Sequence, residues 1–218
     1  MTTACLISDT HNGHKKLVLP NADILIHSGD FTSMGHEHEV KAFLKWFSKV
    51  GDFKYRIFIA GNHDWLFDTS KGLAKSLIPS NLIYLEDDGV EVLGLNIYGT
   101  PVSPVFFDWA FMKEEFRLKD HWEAVPDDTD ILITHCPPKG ILDFVGCDYT
   151  GSSTLYYEVT NRIKPLVSVF GHIHDKHGVI EFDGTHYINA CNANVHNKIE
   201  YPPIHIGIND DKVEVFSL

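Results

Sequence analysis

Two histidines follow an apolar stretch of the chain and are separated by a single residue. The stretch reads "LVSVF", and after Gly171 the chain continues with His172 and His174 in "GHIHDKHG". In an extended backbone, residues two apart point to the same face, so the two imidazoles can bind one metal ion or two neighbouring ions. They can equally be polar residues at a turn. The rest of the chain decides between these two interpretations.

Polar side chains of the same kind follow four further apolar stretches. Given with the stretch that each follows, they are Asp9 and His11 ("CLIS"), Asp30 ("ILIHSG"), Asn62 and His63 ("IFIAG") and His135 ("ILIT"). Taken singly, each is explained by a helix cap or a turn. Because ligands bind beyond the carboxyl ends of the strands in α/β sheets, five strands that end in this way predict one shared site.

The residue types of this predicted site suit metal ions. Three carboxylate or carboxamide groups and the four imidazoles other than His63 give seven oxygen and nitrogen donors, with no thiolate. Seven donors exceed the four of a tetrahedral zinc site. They suit two ions about 3.5 to 4 Å apart that share a bridging carboxylate. Oxygen and nitrogen ligands of this kind bind Mn²⁺, iron, Zn²⁺, Ni²⁺ or Mg²⁺, and we take Mn²⁺ as the favoured ion.

The overall charge of the chain limits its partners. Its 218 residues carry a net charge of −12, a field that repels extended nucleic acid and anionic membrane surfaces. Two divalent ions would bring four positive charges, of which Asp9 and Asp30 neutralise two and a bridging hydroxide one more. The remaining charge of about +1 allows an acidic protein to bind a small phosphate ester. We expect such an ester as the partner.

Composition and cysteine content indicate the class of protein and its compartment. A hydrophobic content of 44% and a charged content of 22% are typical of a globular protein, and the length predicts one domain over residues 1–218. The four cysteines form no CxxC pair, which favours free thiols in a reducing compartment over a disulfide framework. No apolar run has the length of a signal segment or a membrane span. We therefore expect a cytoplasmic protein, and the sequence leaves its oligomeric state open.

Short apolar runs dominate the chain and predict β-strands. Their β-branched and aromatic residues are bounded by Gly, Asp or Asn, and several lack alternation, as expected for strands covered on both faces. The runs are "ACLIS", "ADILIHS", "YRIFIA", "LIYL", "GLNIYG", "DILIT", "LVSVF", "VIEF", "HYINA", "IHIGI" and "KVEVFS".

Helical patterns separate many of these strands. Val40, Phe43, Leu44 and Phe47 have the spacing of one apolar helix face. A second helix is predicted in "SSTLYYEVTNRIKP", with one of the two serines as its cap, and shorter helices in "DTSKGLAKSLIP" and "FRLKDHWEA". Strand–helix alternation in the first half and consecutive strands in the second predict an α/β fold with two packed mixed sheets and helices outside.

The segments that carry the metal-binding residue types resemble a known motif set. In chain order, "SDTH", "GDF", "GNHD", "THCPP" and "GHIHD" are similar to the motifs of calcineurin-like metallophosphoesterases. Longer segments such as "ADILIHSGDFT" and "ILITHCPPKGILD" resemble one branch, the metallophosphoesterase-domain-containing proteins related to class III phosphodiesterases. The resemblance implies a four-layer αββα sandwich of two mixed β-sheets flanked by helices, with a dinuclear metal site. It assigns to the first ion Asp9, His11, Asp30 and His174, and to the second Asp30, Asn62, His135 and His172.

The same resemblance, together with the chemistry of dinuclear sites, predicts the mechanism. A hydroxide that bridges both ions attacks phosphorus in line, while the ions neutralise the phosphate oxygens. The departing alkoxide needs a proton, and we predict His63 as the general acid. Asp64 is predicted to hold its ring in the required tautomer. The alternatives are a structural role for His63 and a turn-forming role for Asp64.

Sequence context narrows the substrate class. Asp30 is followed by "FTSMG" rather than by the Asp-Arg-Gly signature of protein phosphatases, and the length leaves no room for the DNA-facing domain of the large nucleases. We therefore expect hydrolysis of small, nucleotide-like phosphodiesters. Substrate contacts are predicted at Asn12, His14, Trp109 and Asn192, although core packing explains the aromatic segment around Trp109 equally well. A phosphomonoesterase, or a regulatory protein that binds a nucleotide with little turnover, remains the alternative.

Overall fold

The computed structural model describes residues 1–210 and 212–216. Its strands, numbered in chain order, are β1 (Thr2–Ile7), β2 (Ile24–Ser28), β3 (Tyr55–Ile59), β4 (Ile83–Tyr84), β5 (Asp88–Val92), β6 (Leu95–Thr100), β7 (Ser103–Pro104), β8 (Met112–Lys113), β9 (Ile131–Thr134), β10 (Phe144–Val145), β11 (Asp148–Tyr149), β12 (Val167–Phe170), β13 (Gly178–Phe182), β14 (Thr185–Asn189), β15 (Ile204–Asn209) and β16 (Lys212–Phe216). The α-helices are α1 (Glu37–Phe47), α2 (Trp65–Thr69), α3 (Lys71–Ser76), α4 (Glu115–Glu123) and α5 (Ser153–Glu158). Short 3₁₀ turns cover His14–Lys16 and His174–Lys176, and Val159–Ile163 forms a π-helical turn after α5.

Two six-stranded sheets form the centre of the molecule. The first has the strand order β16-β15-β1-β2-β3-β4 and the second β13-β14-β12-β9-β6-β5. In the first sheet β1 to β4 run parallel, whereas β15 and β16 pair antiparallel. In the second sheet β6, β9, β12 and β14 run parallel, and the edge strands β5 and β13 are antiparallel. Both sheets are therefore mixed, as the sequence predicts.

Alternating residues of the central strands divide the apolar core into three layers. Leu6 of β1 and Ile133 of β9 belong to the layer between the two sheets. Leu25 of β2 points to an outer layer that also contains the buried face of α1. Leu132 of β9 points to the opposite outer layer, with Trp122 of α4. Because side chains alternate between the faces of a strand, the result is a helix–sheet–sheet–helix sandwich, and the predicted fold class is confirmed.

The helices form where the apolar spacing predicts them. The stripe that starts at Val40 is buried on α1, and α3 and α5 lie within predicted segments. The helix α4 begins one residue before its predicted segment. Ser152 caps α5, since its Oγ accepts the Leu155 N–H at 3.1 Å. None of the helices in the described part of the chain has the length and apolar character that crossing a bilayer requires.

All eleven predicted strand segments contain a strand, but the prediction omits β5 and four two-residue strands. β5 reads "DGVEV" and is largely exposed, so it lacks the apolar run on which the prediction depends. The short strands form the parallel pair β7–β8 and the antiparallel hairpin β10–β11. A two-residue ladder is too short to produce a periodic pattern.

The carboxyl ends of the parallel strands of both sheets meet at one edge of the sandwich. Ser8, directly after β1, forms a parallel bridge with Cys191, which follows β14. Asn192 donates its backbone N–H to the Ser8 carbonyl at 2.9 Å, and Gly171 donates to the His135 carbonyl at 3.1 Å. The loops that carry the predicted site residues therefore face one another across the two sheets.

Candidate metal centre

Sharp backbone turns bring the site side chains to this edge. Asp9, His11, Asp30 and His172 all have left-handed backbone conformations, with φ of 51°, 40°, 56° and 68°. Such angles are uncommon for residues other than glycine, and Asp, Asn and His adopt them more readily than most. Each turn lets the chain leave its strand while the side chain remains directed at the common edge. Clusters of this conformation are typical of functional sites.

Two glycines are needed because ligand side chains occupy the adjacent space. A β-carbon on Gly171 would overlap the Asp9 carboxylate and the Ser8 hydroxyl, and one on Gly61 would overlap the Asp30 carboxylate. From the sequence alone, a turn is one explanation of the two segments that contain these glycines. The structure adds that their missing side chains make room for two carboxylates of the site.

Three groups of side chains could each hold a metal ion. Within each group the potential ligand atoms all lie within 4.8 Å of one another. The groups are Asp9, His11 and His174; His11, Asp30 and His63; and Asp30, His135 and His172. Asp30 is common to two of them: its Oδ2 lies 3.3 Å from His135 Nε2 and 4.0 Å from the Nε2 atoms of His11 and His63. Asn62 Oδ1 lies 2.9 Å from His135 Nε2.

Backbone carbonyls fix the tautomer of three histidines. The Nδ1–H groups of His11, His135 and His174 donate to the carbonyls of Thr32 (3.2 Å), Ser28 (2.9 Å) and Asn194 (2.9 Å), respectively. In a neutral imidazole this leaves Nε2 with a free lone pair, which is the state required of a metal ligand. All three Nε2 atoms point into the centre.

These lone pairs approach other acceptors closely. His11 Nε2 lies 3.1 Å from His174 Nε2, so two neutral imidazoles would direct lone pairs at each other. His135 Nε2 and Asn62 Oδ1 form a second such pair at 2.9 Å. Two acceptors at hydrogen-bond distance repel unless a proton or a cation lies between them. The donor set therefore fits divalent cations.

The buried carboxylates of the centre require the same compensation. Asp9 and Asp30 are 0% and 1% exposed, and their ion-pair partners among the described residues are histidines. Burial opposes the charge of Asp30, but the positive charges of His135 and His63 hold its pKa well below the usual range. Burial likewise opposes the charge of His135, while Asp30 raises the pKa of that imidazole to about 9. The buried carboxylate therefore favours a positive charge beside it, which a divalent cation would also supply.

Asp9 is held by the loop that follows β12. The backbone N–H of His172 lies 3.0 Å from both Asp9 carboxylate oxygens, and His174 Nε2 lies 3.5 Å from Oδ1. Burial opposes the charge of Asp9, but the hydrogen bond and charge of His174 hold its pKa below the usual range. Burial lowers the pKa of His172 to about 4, which keeps this imidazole neutral at physiological pH.

His63 lies between the predicted ligands and Trp109. Its Nδ1–H donates to the Ser33 carbonyl at 2.7 Å, and its ring centroid lies 4.3 Å from that of Trp109. This arrangement directs Nε2 toward the centre, 4.0 Å from Asp30 Oδ2. Trp109 is half-buried, whereas the nearby Phe111 is buried in the outer layer of the core.

The role predicted for Asp64 was wrong. The His63 ring is oriented by the Ser33 carbonyl, and the Asp64 carboxylate is turned toward the backbone of two loops. It accepts N–H groups from Gly61 (2.8 Å), Asp30 (2.9 Å) and Thr32 (2.9 Å), and the Thr32 hydroxyl at 2.7 Å. Burial, together with the nearby charge of Asp30, raises the pKa of Asp64 to about 7. Asp64 therefore positions the loop that carries Asp30.

Two of the predicted substrate contacts lie inside the protein. His14 is 2% exposed, and its ring packs against Trp46 and Phe43, with centroids 4.7 and 5.7 Å away. Asn192 is 0% exposed and accepts the Ser8 N–H at 3.1 Å, while its amide donates to two backbone carbonyls. These two predictions were wrong, because both side chains are buried and contact only the interior of the protein.

Asn12 is exposed, but its side chain is bound within the protein. Its Nδ2 donates to Ser33 Oγ at 3.0 Å and to Glu39 Oε1 at 2.5 Å. Glu39 in turn accepts the backbone N–H groups of Met34 and His36, at 3.2 and 2.9 Å. Sequence reasoning missed Glu39 because it predicts only a charged residue at the start of α1. A capping signal, a carboxylate three residues after the N-cap, would have identified it.

A groove opens beside the centre. It has a volume of about 550 Å³, and its floor includes His172 and His174. One wall is the segment 104–106, and another is the hairpin β10–β11 with Thr150. Val195, which follows β14 in the chain, lines it as well. A cleft of this size is typical of small-molecule sites.

A mixed αββα sandwich with clustered histidines and aspartates at its strand ends suits a metal-dependent hydrolase. The chain belongs to the calcineurin-like phosphoesterase family, whose sequence model matches residues 3–176. The family resemblance drawn from the motifs is thereby confirmed. The family implies divalent metal ions, which agrees with the donor set described above.

Individual relatives support the same assignment. The chain is 37% identical over 227 residues to human metallophosphoesterase domain-containing protein 1, covering 93% of this chain and 69% of that protein. One solved crystal structure matches 99% of both chains with a TM-score of 0.70 and 14% identity. The NAD nucleotidase of Haemophilus influenzae is 14% identical, with a TM-score of 0.52, and the match covers 99% of this chain and 49% of that one. At 14% identity, the similarities to these two solved structures show a shared fold and nothing further.

Proposed function

We propose that the chain is a phosphodiesterase whose centre holds two divalent metal ions. The first ion would be bound by Asp9, His11, Asp30 and His174, and the second by Asp30, Asn62, His135 and His172. The observation that carries this proposal is the convergence of acceptors around Asp30, whose Oδ2 lies 3.3 Å from His135 Nε2 and 4.0 Å from His11 Nε2. When bound, such ions lower the pKa of coordinated water and neutralise charge on the phosphate oxygens. We take Mn²⁺ as the ion for the test below; the oxygen and nitrogen donors also suit iron, Zn²⁺, Ni²⁺ or Mg²⁺.

His63 is the residue that we propose as general acid. Because its Nδ1–H is bound to the Ser33 carbonyl, a second proton has to be carried on Nε2, the atom that faces the centre. Asp30 Oδ2 lies 4.0 Å from that atom. A proton held there can be given to the departing alkoxide of the substrate. The ring of Trp109 packs against the imidazole and restricts its rotation.

Two features support a diester in preference to a monoester. A diester carries one negative charge on its phosphate, whereas a monoester carries nearly two at neutral pH, and the second charge calls for an additional cationic side chain. Neither Lys nor Arg is among the described residues that line the groove. The groove also provides space beside the candidate ligands for the second ester group.

The test is a comparison of initial rates on a diester and a monoester. The protein is stripped of metal, reloaded with Mn²⁺, and assayed on bis-p-nitrophenyl phosphate and on p-nitrophenyl phosphate. We expect the diester to be the faster substrate. Asp30→Asn should lower this rate by more than about 10³-fold, because the metal centre supplies several kcal/mol of charge stabilisation. Asp120→Asn, the same change on the exposed face of α4, is the matched control.

The other outcomes separate the alternatives. A dominant monoester rate would contradict the proposal and identify a phosphomonoesterase. No turnover of either substrate with both ions bound would contradict it in favour of a nucleotide-binding protein.

We also propose a reducing compartment, such as the cytoplasm, for this protein. The support is its cysteines, all four of which lie in the described residues as free thiols, three of them buried. Free buried thiols are typical of proteins from reducing compartments. Fractionation of cells that produce the natural protein tests this proposal, and recovery from the secreted fraction would contradict it.

A further inference from the structure

The walls of the groove beside the centre are mainly apolar and exposed. Val105, Phe106, Val145, Tyr149 and Val195 line it, with exposed fractions from 43% to 65%. Contiguous apolar side chains that remain open to solvent beside polar groups mark binding surfaces. Here the polar groups are His172 and His174 of the candidate metal centre.

Backbone pairing holds both aromatic walls in position. On one side the pair β7–β8 supports Phe106, since Val105 donates its N–H to the Lys113 carbonyl at 3.1 Å. On the other side the β10–β11 hairpin carries Tyr149, whose ring centroid lies 5.1 Å from that of Phe144. The base of this hairpin is fixed by Asp143, which accepts the N–H groups of Gly140 and Gly151 at 3.0 and 2.9 Å. The groove is therefore shaped before a ligand binds.

The charge of the groove excludes a second anionic group. Apart from the two histidines, its ionisable lining residues are Tyr149 and two carboxylates, Asp148 and Asp175, both exposed. Asp175 pairs with Lys176 Nζ at 3.4 Å, whereas Asp148 has no cationic partner among the described residues. A further phosphate or carboxylate on the bound molecule would therefore be repelled chiefly by Asp148. A nucleoside triphosphate or a nucleic acid strand would place a further phosphate beside the carboxylates of the groove, which disfavours both as ligands.

We infer that the groove binds an uncharged aromatic ester arm of the substrate while the phosphate lies at His172 and His174. This inference rests on the proposed phosphodiesterase function and adds the class of its substrate: a small diester with one phosphate and an aromatic group. The ring stacks against Phe106 and Tyr149, since flat apolar surfaces of this kind bind aromatic groups with little regard to their hydrogen-bonding edges.

Binding of phosphinates tests this without turnover, because their P–C bonds are not hydrolysed. Dimethylphosphinate, phenyl(methyl)phosphinate and 4-carboxyphenyl(methyl)phosphinate are titrated calorimetrically into the metal-loaded protein. We expect the phenyl compound to bind roughly 10- to 100-fold more tightly than the dimethyl compound, the range for stacking one ring on aromatic side chains. The carboxyl group should abolish most of that gain. Phe106→Ala should reduce the phenyl gain by about tenfold, and Phe116→Ala, which removes a ring 71% exposed on α4, should preserve it.

The diester assay on the same protein separates the two claims. Equal affinity for the phenyl and dimethyl compounds would overturn the groove assignment, even if the diester is hydrolysed. A phenyl preference that Phe106→Ala leaves unchanged would also overturn it. A phenyl preference that depends on Phe106, in a protein that hydrolyses no diester, would support the groove and overturn the proposed reaction.

Discussion

The loops of the metal centre and the walls of the groove are built in opposite ways. Around the centre, Asp9 and Asp30 are buried, and backbone N–H groups and carbonyls hold the loops and rings. Along the groove, Phe106 and Tyr149 are about half exposed and are supported by ladders of only two residues. The buried, hydrogen-bonded loops of the centre fix the positions of the ligand atoms, whereas the exposed walls of the groove offer apolar surface to a bound molecule. We infer that reaction chemistry depends on the first region and substrate selection on the second.

The largest expected effect concerns His63, whose ring lies beside Asp30 of the centre and packs against Trp109. His63→Ala should lower the rate on a diester with a poor alkoxide leaving group by about 10²- to 10⁴-fold, the usual contribution of a general acid. The rate on bis-p-nitrophenyl phosphate should fall much less, because nitrophenolate leaves without protonation. Parallel kcat/KM measurements on an alkyl diester and on the nitrophenyl diester check this. Equal losses on both substrates would assign His63 a structural or ligand role.

A smaller loss is expected from adding a methyl group to the buried region. In Gly171→Ala the new β-carbon collides with the Asp9 carboxylate, so that ligand has to move. We expect metal affinity to fall about 10- to 100-fold, as for other changes that disturb ligand orientation. Gly72→Ala is the control, since a β-carbon there meets nothing within 4 Å. The measurement is a metal titration of both variants. Unchanged metal affinity in Gly171→Ala would contradict the prediction and show that the loop can move without displacing the Asp9 ligand.

The smallest effect concerns a buried histidine that does not belong to the centre. Neither ring nitrogen of His14 has a hydrogen-bond partner among the described residues. Burial, with the charge of Lys15, lowers the pKa of His14 to about 4. An imidazole whose pKa is lower in the folded state destabilises the fold as the pH falls from about 6.5 toward 4, because the unfolded chain binds the proton first.

His14→Phe should therefore remove this loss of stability. Relative to the wild type, we expect a gain of about 1 to 2 kcal/mol in the free energy of unfolding at pH 5 compared with pH 7. Urea unfolding at both pH values is the measurement. The control is His38→Phe, at an exposed position of α1. Its free energy of unfolding should change between pH 7 and pH 5 by the same amount as that of the wild type. A pH dependence in His14→Phe that matches the wild type would contradict the account.

The sequence predicts the parts of the molecule that follow from local order. The burial of the α1 stripe from Val40 to Phe47 follows from a spacing of 3.6 residues, and the strands from short β-branched runs. Residues such as Asp30 and His135 could be predicted to converge because each lies within two residues of the end of a parallel strand, where ligands bind in α/β sheets.

The roles that could not be predicted depend on contacts between distant segments. Asp64 follows His63 in the chain, but its partners include Asp30, which is 34 positions away. Asn192 binds Ser8 across 184 positions. His14 packs on Phe43 and Trp46 of α1. The spacing of apolar residues in the sequence identifies the apolar face of this helix, but it does not show which residue packs against that face. A polar residue near a strand end can face the site or hold the loop that carries it, and only the packed structure distinguishes the two.

The central claim is that seven side chains hold two ions through a shared Asp30. The most direct test is the number of metal ions bound per chain, measured by elemental analysis after equilibration with Mn²⁺, for the wild type, Asp30→Asn and Asp120→Asn. We expect two ions in the wild type and in Asp120→Asn, with both sites weakened in Asp30→Asn. A single ion in the wild type, or two tightly bound ions in Asp30→Asn, would contradict it.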